Sequence, residues 1–381
     1  MNFLSKNIKS KIKFFVITIS LSLFFFELFS LVATKFNLLI FNQEPNYRYS
    51  SGNKWRNEIK PWGAWHKENY KDRHRTKCFD VEYRSNNLGA RDDKVYDQTQ
   101  PSDSIILIGD SFVEGMGVNL NDTVGKILEK ETDRKVLNFG SGGFFGPVQE
   151  EILYNDLASK LPHNEMIYFF LPANDFIEND RRYWRSKINR FRHRPYYKKV
   201  SDNEYSVFYP SKDSKSKFLL AVQSFLFHRL QVFLVDYTYS ANTLRTLSAL
   251  YIRSSNKEKN IVNQNVKETG YSYFFDDSES VDGSLFFTKK LLSKASNLKR
   301  RLIIIIPLME DFIRIRNGEN YKQLKWYLDL KKIVSQTNSE FFDLADHFTR
   351  DDYEKMLEKC TRHWSIYGNK IVAKLIMENF F

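Results

Sequence analysis

The sequence predicts an α/β protein: a three-layer αβα sandwich around a parallel sheet of about five strands, behind one N-terminal transmembrane helix. Three observations carry this. Short apolar runs such as "SIILIG" and "RLIIIIPL" read as strands buried on both faces. Helical patterns separate those runs, which makes successive strands parallel and covers the sheet on both sides. An apolar stretch over residues 14–34, "FFVITISLSLFFFELFSLVAT", is long enough at about 1.5 Å per residue to cross a hydrocarbon core of about 30 Å.

Taken in order, residues 1–13 form a basic tail with Lys6, Lys9, Lys11 and Lys13. Residues 14–34 carry one charge, Glu27, at a cost of about 3 kcal/mol or less on insertion scales. The stretch is longer than the apolar region of a signal peptide, about 7–15 residues, and "SLVATKF" is a poor cleavage site. A retained anchor is therefore expected. The lysines precede it, and only Lys35 and Arg48 follow closely, so the positive-inside rule puts the N-terminus in the cytoplasm and the domain outside. Residues 35–100 read as a linker or arm that packs on the domain, with Trp55, Trp62 and Trp65. Its "CFDVEYRSNNLGARD" alternates like a strand and ends in a turn at Asn86, Asn87 and Gly89.

Residues 101–381 make the main domain. "SIILIG" is its first strand, and "NDTVGKILEKET" a helix capped by Asn121 or Asp122. "KVLNF" is the second strand. "GPVQEEILYNDLAS" is a helix with Pro147 in its first turn, and "EMIYFFLP" the third strand. The rhythm breaks over residues 180–283, an insertion with a hairpin at "YYKKVSDNEYSVFYP" and a long apolar-rich helix over about 218–251. Gln223, His228, Arg229 and Gln231 interrupt that helix. An amphipathic helix, packed on the domain or lying on a membrane surface, suits it better than a second span. "LFFTKKLLSKASNL" is helical, "RLIIIIPL" the fourth strand, "NYKQLKWYLDLKKIVSQT" a helix and "EFFDLAD" the fifth strand. A last helix runs over residues 366–377.

A hydrophobic share of 42% can fill a sizeable core, which excludes wholesale disorder. A net charge of +12 favours anionic partners such as lipid headgroups or acidic polysaccharide. The basic residues scatter and no nucleic-acid module accompanies them, so no nucleic-acid partner is expected. Cys78 and Cys360, with no C-x-x-C, give no zinc spacing, and no metal or cofactor is expected. Outside the cytoplasm the two can persist as a Cys78–Cys360 disulfide; the other reading is two unrelated buried thiols.

Four segments could carry chemistry. "IILIGDSFVEGMGV" places Ser111 directly after a strand, where open α/β sheets bind ligands, although serine is also a common cap. The G-x-S-x-G elbow is not met, because Val113 fills its last place. "VLNFGSGGFFG" exposes backbone N–H groups after a strand, or simply makes a tight turn; Phe145 stands where a dinucleotide fingerprint needs glycine. "FFLPANDF" offers Asn174, whose amide can donate to an oxyanion or cap a helix. "TRHWSIYGNKIVAKLI" sets His363 after the fifth strand; a lone histidine is more often structural.

In this order the four segments resemble the SGNH, or GDSL-like, hydrolases. Gly109-Asp110-Ser111 matches the first block, Gly143 the second-block glycine, Asn174-Asp175 the third block and His363 the fifth, with Gly368 in the following turn. Pro172 replaces the third block's glycine. The likeness covers residues 104–177 and 300–381. It implies Ser111 as nucleophile and His363 as general base. It also implies an oxyanion hole from the Ser111 N–H, the Gly143 N–H and the Asn174 amide, with Asp110 and Asp175 in support. It further implies an ester or acylated carbohydrate substrate, such as acetyl esters of envelope polysaccharide. The family's acid, two or three residues before the histidine, is absent: Cys360 and Thr361 stand there. Three readings follow. Asp346, Asp351, Asp352 or Glu358 substitutes; a backbone carbonyl orients His363, leaving a Ser–His dyad; or catalysis is lost and the fold binds glycan.

Overall fold

The structure, a computed structural model, describes residues 2–36, 38, 58–75, 79–143, 145–184, 194–202, 204–209, 228–255, 273–359 and 361–381. Cys78 and Cys360 lie outside them, and with them the expected disulfide. The chain divides into two compact units. One comes from residues 1–52, 75–77 and 214–260, the other from 53–74, 78–213 and 261–381.

The first unit opens with helix α1 (Asn2–Lys35), whose Ser10–Lys35 portion is long and apolar enough to cross a membrane. Phe14, Phe15, Phe24 and Phe25 point outward along it.

In the second unit, two antiparallel strand pairs, Glu58–Lys60 with Gly63–Trp65 and Lys71–Arg75 with Asp80–Arg84, precede the central sheet. That sheet has five parallel strands: β1 (Ile105–Gly109), β2 (Val136–Gly140), β3 (Glu165–Phe170), β4 (Arg300–Ile305) and β5 (Glu340–Asp343). Their spatial order is β5-β4-β3-β1-β2, so the order reverses between β1 and β3. A crevice at the carboxyl ends of these two strands is where such sheets place ligands.

Alternation along each strand explains the three layers. Ile106, Ile108, Leu137, Phe139, Tyr168, Phe170, Ile303 and Ile305 share one buried cluster. It includes residues of α4 (Pro147–Asp156), α8 (Ser278–Lys294) and α10 (Lys325–Gln336). Ile105, Leu107, Val136, Ile167, Phe169, Leu302 and Ile304 share the other cluster. That one includes residues of α3 (Val124–Thr132), α9 (Met309–Arg316), α11 (Arg350–Met356) and α12 (Ile366–Phe380). Two short helices start at strand ends: α2 (Ser111–Glu114) after β1 and α5 (Pro172–Asp175) after β3. β2 ends on Gly140, whose backbone lies against Val113 and Glu114 of α2. A Cβ there would meet the Glu114 nitrogen and come 2.6 Å from the Val113 carbonyl carbon.

The cap of α3 differs from expectation. Asn121 and Asp122 sit in a 3-10 turn, and Thr123 is the cap, its Oγ1 accepting from the Lys126 N–H. Asn369 of α12 supplies a second cap from across the fold, accepting from the Val124 N–H at 3.0 Å. The expected hairpin is present, with Tyr196–Ser201 paired to Glu204–Phe208. The described part of the apolar-rich stretch expected over about 218–251 is two helices rather than one, α6 (His228–Tyr237) and α7 (Tyr239–Ser255), parted at Thr238. Both belong to the first unit. Residues 210–227 lie outside the described residues.

Candidate active site

Ser111 is the first residue of α2, aimed by the turn that ends β1. Asp110 caps that helix: its Oδ1 accepts from the Phe112 N–H at 2.9 Å. The Ser111 hydroxyl lies 2.7 Å from His363 Nε2, joining residues 252 positions apart. Both side chains are half-buried. The His363 ring rests on Phe112, with centroids 4.8 Å apart.

The segment bearing His363 leads into α12. His363 Nδ1 lies 3.1 Å from the Thr361 carbonyl oxygen, a contact that fits an Nδ1–H donor and leaves Nε2 as the acceptor facing Ser111. Thus a backbone carbonyl stands beside the nitrogen that a carboxylate would be expected to orient. The four carboxylates weighed as substitutes are placed as follows. Asp346 pairs with Lys322, and Asp352 with Thr349 and Lys355. Asp351 is exposed. Glu358 accepts from the Thr361 N–H at 2.8 Å and from its hydroxyl at 2.9 Å, which fixes the peptide beside His363. Arg362 adopts a left-handed φ of 59°, and its guanidinium reaches Glu310. Trp364 is buried against Phe112 and Phe169, and Ser365 caps α12.

The other expected residues stand after β2 and in α5. Gly143 is exposed, with a φ of 87° that a side chain would strain. Asn174, in α5, donates from Nδ2 to Asp110 Oδ2 at 2.8 Å. That bond fixes which edge of the amide faces Asp110 and leaves a second Nδ2 hydrogen for another acceptor. Asp175 is fully buried, its Oδ2 accepting from the Leu171 N–H at 2.7 Å.

Three supporting residues escaped the sequence reading. Glu114, fully buried at the end of α2, accepts from the Gly142 N–H next to Gly143. His66, also fully buried, places Nε2 3.7 Å from Glu114 Oε2 and Nδ1 2.8 Å from the Gly89 carbonyl. Arg91 donates to the carbonyls of Glu114, Gly115 and Val118 and stacks on Tyr83, 3.8 Å from its centroid. His66 and Arg91 precede β1 in the chain. The only advance signal was the "NNLGARD" turn, and it marked a turn rather than a contact.

Burial dominates the electrostatics below the site. The Asp110 carboxyl is pushed up to about 6 by burial, against the Phe112 and Asn174 hydrogen bonds. Asp175 and Glu150 are driven well above the usual carboxylate range, first by burial and, for Asp175, then by Glu150. No group of histidine, cysteine, aspartate or glutamate side chains suited to a metal occurs among the described residues.

The structure therefore brings Ser111, His363, Asp110 and Asn174 together by direct contact, and holds the Gly142–Gly143 loop to α2 through Glu114. No protein-family model and no curated protein matches the chain. Solved structures do. One is a member of the lipolytic protein G-D-S-L family from Veillonella parvula, 10% identical, TM-score 0.36, spanning 73% of this chain and 97% of that one. The chain is similar to G-D-S-L lipolytic proteins. It is likewise similar to Axe2, an acetylxylan esterase from Geobacillus stearothermophilus, at 12% identity and TM-score 0.35 over 75% and 97% of the two chains. A lipase/acylhydrolase from Enterococcus faecalis matches at 11% identity and TM-score 0.35, over 72% and 94%. The letters G-D-S stand here as Gly109-Asp110-Ser111, and Phe112 takes the fourth place, where the name has leucine.

Proposed function

We propose that the chain is an SGNH-type serine esterase or acyl transferase that works through an acyl-serine intermediate. The observation that carries this reading is the 2.7 Å contact between Ser111 Oγ and His363 Nε2. Ser111 Oγ attacks the ester carbonyl carbon while His363 Nε2 takes the hydroxyl proton. The negative charge that develops on the carbonyl oxygen is met by the Ser111 N–H, the Gly143 N–H and the Asn174 amide. As the tetrahedral adduct collapses, the ester C–O bond breaks and His363 returns its proton to the leaving alcohol. Water, or a second alcohol in a transfer, then attacks acyl-Ser111. His363 removes the attacker's proton and gives it back to Ser111 Oγ.

Each donor to the oxyanion is worth about 2.7–4 kcal/mol of transition-state stabilisation. The Thr361 carbonyl holds the imidazole in the useful tautomer but brings no full negative charge to steady the imidazolium. With the Thr361 carbonyl in the orienting place, the proposed machinery is read as a Ser–His dyad, weaker than a triad. Its substrate class is an O-acyl group, acetyl esters of cell-envelope polysaccharide in particular. The expected setting is a single-pass anchor at α1, with the domain on the exported side; the lysines before the apolar stretch support that orientation.

The Thr361 carbonyl also favours one rival, a glycan-binding subunit with residual or no turnover. A fluorophosphonate probe separates the two. Labelling of the wild type and not of Ser111→Ala supports the esterase. A wild type that stays unlabelled, or a Ser111→Ala variant that hydrolyses esters at the wild-type rate, sinks it.

A further inference from the structure

Glu27 is the one charge in the apolar stretch of α1, and its partner lies 212 residues away. Its two carboxylate oxygens accept from the Tyr239 N–H at 2.7 Å and the Ser240 N–H at 2.9 Å. These belong to the first turn of α7, whose N–H groups have no partner within the helix, so an acidic group there is favourable. Glu27 sits eight residues before Lys35, about 12 Å from that end of α1 at about 1.5 Å per residue. Beyond Glu27, the face of α1 formed by Ser30, Ala33 and Thr34 is buried, as are Tyr239, Asn242 and Thr243 of α7. Small residues on one helix permit this close approach. All three of the buried α1 residues lie on the Lys35 side of Glu27, so α7 runs beside α1 towards that end.

A second observation concerns the corner between α6 and α7. Asn242 Nδ2 donates to the Val235 and Thr238 carbonyls at 2.7 and 2.8 Å. The Thr238 hydroxyl donates to the Leu234 carbonyl and accepts from the Ala241 N–H. The Thr246 hydroxyl turns back to the Asn242 carbonyl. Backbone groups of the corner thus find partners inside the segment and on Glu27, which is what a hydrocarbon environment demands. Apolar side chains point outward at Leu230, Phe233 and Leu234, at helical spacing on α6, and at Leu244 and Leu247 on α7; Arg245 and Ser248 are outward too, on the stretch of α7 that runs towards the Lys35 end, where a long side chain can reach the interface.

We propose that the α6–α7 corner is a re-entrant hairpin that enters the bilayer beside α1, docked on Glu27, with these five side chains against lipid acyl chains. The proposal rests on α1 being a membrane anchor, and its test separates the two. The photoreactive residue p-benzoylphenylalanine is placed at Phe25 of α1, at Phe233, at Leu247, and at exposed Val95 of the second unit, one per full-length protein in phospholipid vesicles. After irradiation, mass spectrometry reads phospholipid adducts. Adducts at Phe25, Phe233 and Leu247 and none at Val95 are expected. Adducts at Phe25 with none at Phe233 and Leu247 overturn the hairpin and leave the anchor standing. No adduct at Phe25 overturns the anchor reading, and the hairpin with it. Glu27→Ala should lower the adduct yield at Phe233 and Leu247 about tenfold, the loss of roughly one good hydrogen bond, while Phe25 is unchanged. Glu27→Gln, which keeps one acceptor, should fall between. Unchanged yields in Glu27→Ala remove Glu27 from the docking.

Discussion

Ser111 and His363 meet at 2.7 Å, yet the segments behind them are held by different means. Behind Ser111 the holding groups are buried side chains: Asp110 on the Phe112 N–H and Asn174, Glu114 on the loop before Gly143, and Arg91 on three carbonyls. Behind His363 they are a backbone carbonyl, a Glu358 bond to the neighbouring peptide, and an arginine–glutamate pair whose side chains are 61% and 58% exposed. Buried groups that lose a partner carry the full desolvation penalty, whereas exposed ones return to water. The Ser111 side is therefore built for fixed geometry, and the His363 side depends on a short loop and the Trp364 anchor.

That contrast can be broken or sharpened by substitution. The largest effect on turnover should come from His363→Ala. A general base is typically worth about 10²–10⁴ in rate, so kcat for an activated ester should fall by that factor with the folded state intact, as read by circular dichroism. Arg91→Ala should act on stability. It leaves three buried carbonyls without their donor, and a loss of about 3 kcal/mol or more is expected in urea unfolding. A loss under about 1 kcal/mol would refute the clamp. Glu114→Ala frees the Gly142 N–H and should lower kcat about 10²-fold with little change in KM, the pattern of a misplaced oxyanion donor. Equal loss in KM would point instead to substrate binding. Cys360→Asp puts a carboxylate three residues before His363; a gain of about tenfold in kcat would show that the dyad is limited by its imidazolium. The smallest effect belongs to Arg362→Ala, whose exposed pair should matter by less than about 1 kcal/mol in the same unfolding experiment.

The sheet was legible because its strands carry short apolar runs, from "IILIG", buried along its whole length, to the edge strand "EFFD", half-buried at its start. The places of Ser111, Asn174 and His363 after strand or loop ends were legible for the same reason. What orients His363 was visible only as an absence, since a backbone carbonyl has no letter in the sequence. His66 and Arg91 were illegible because they act across the fold, at 23 to 27 residues from the carbonyls they touch, where no helical or strand period links them. The cap of α3 was misplaced because Asn121 and Asp122 are equally good caps and a 3-10 turn consumed both. Glu27 looked like a tolerated flaw in an apolar run, since its partner is known only once α7 is packed.

Gly140 carries one last consequence. Its bare backbone touches the short helix that Ser111 begins, and a single methyl would collide with Glu114 and Val113. The end of β2 and α2 thus behave as one cassette. A designer who grafts "GDSFVEG" onto a new scaffold without its neighbouring strand would transplant the serine and leave behind the surface that aims it.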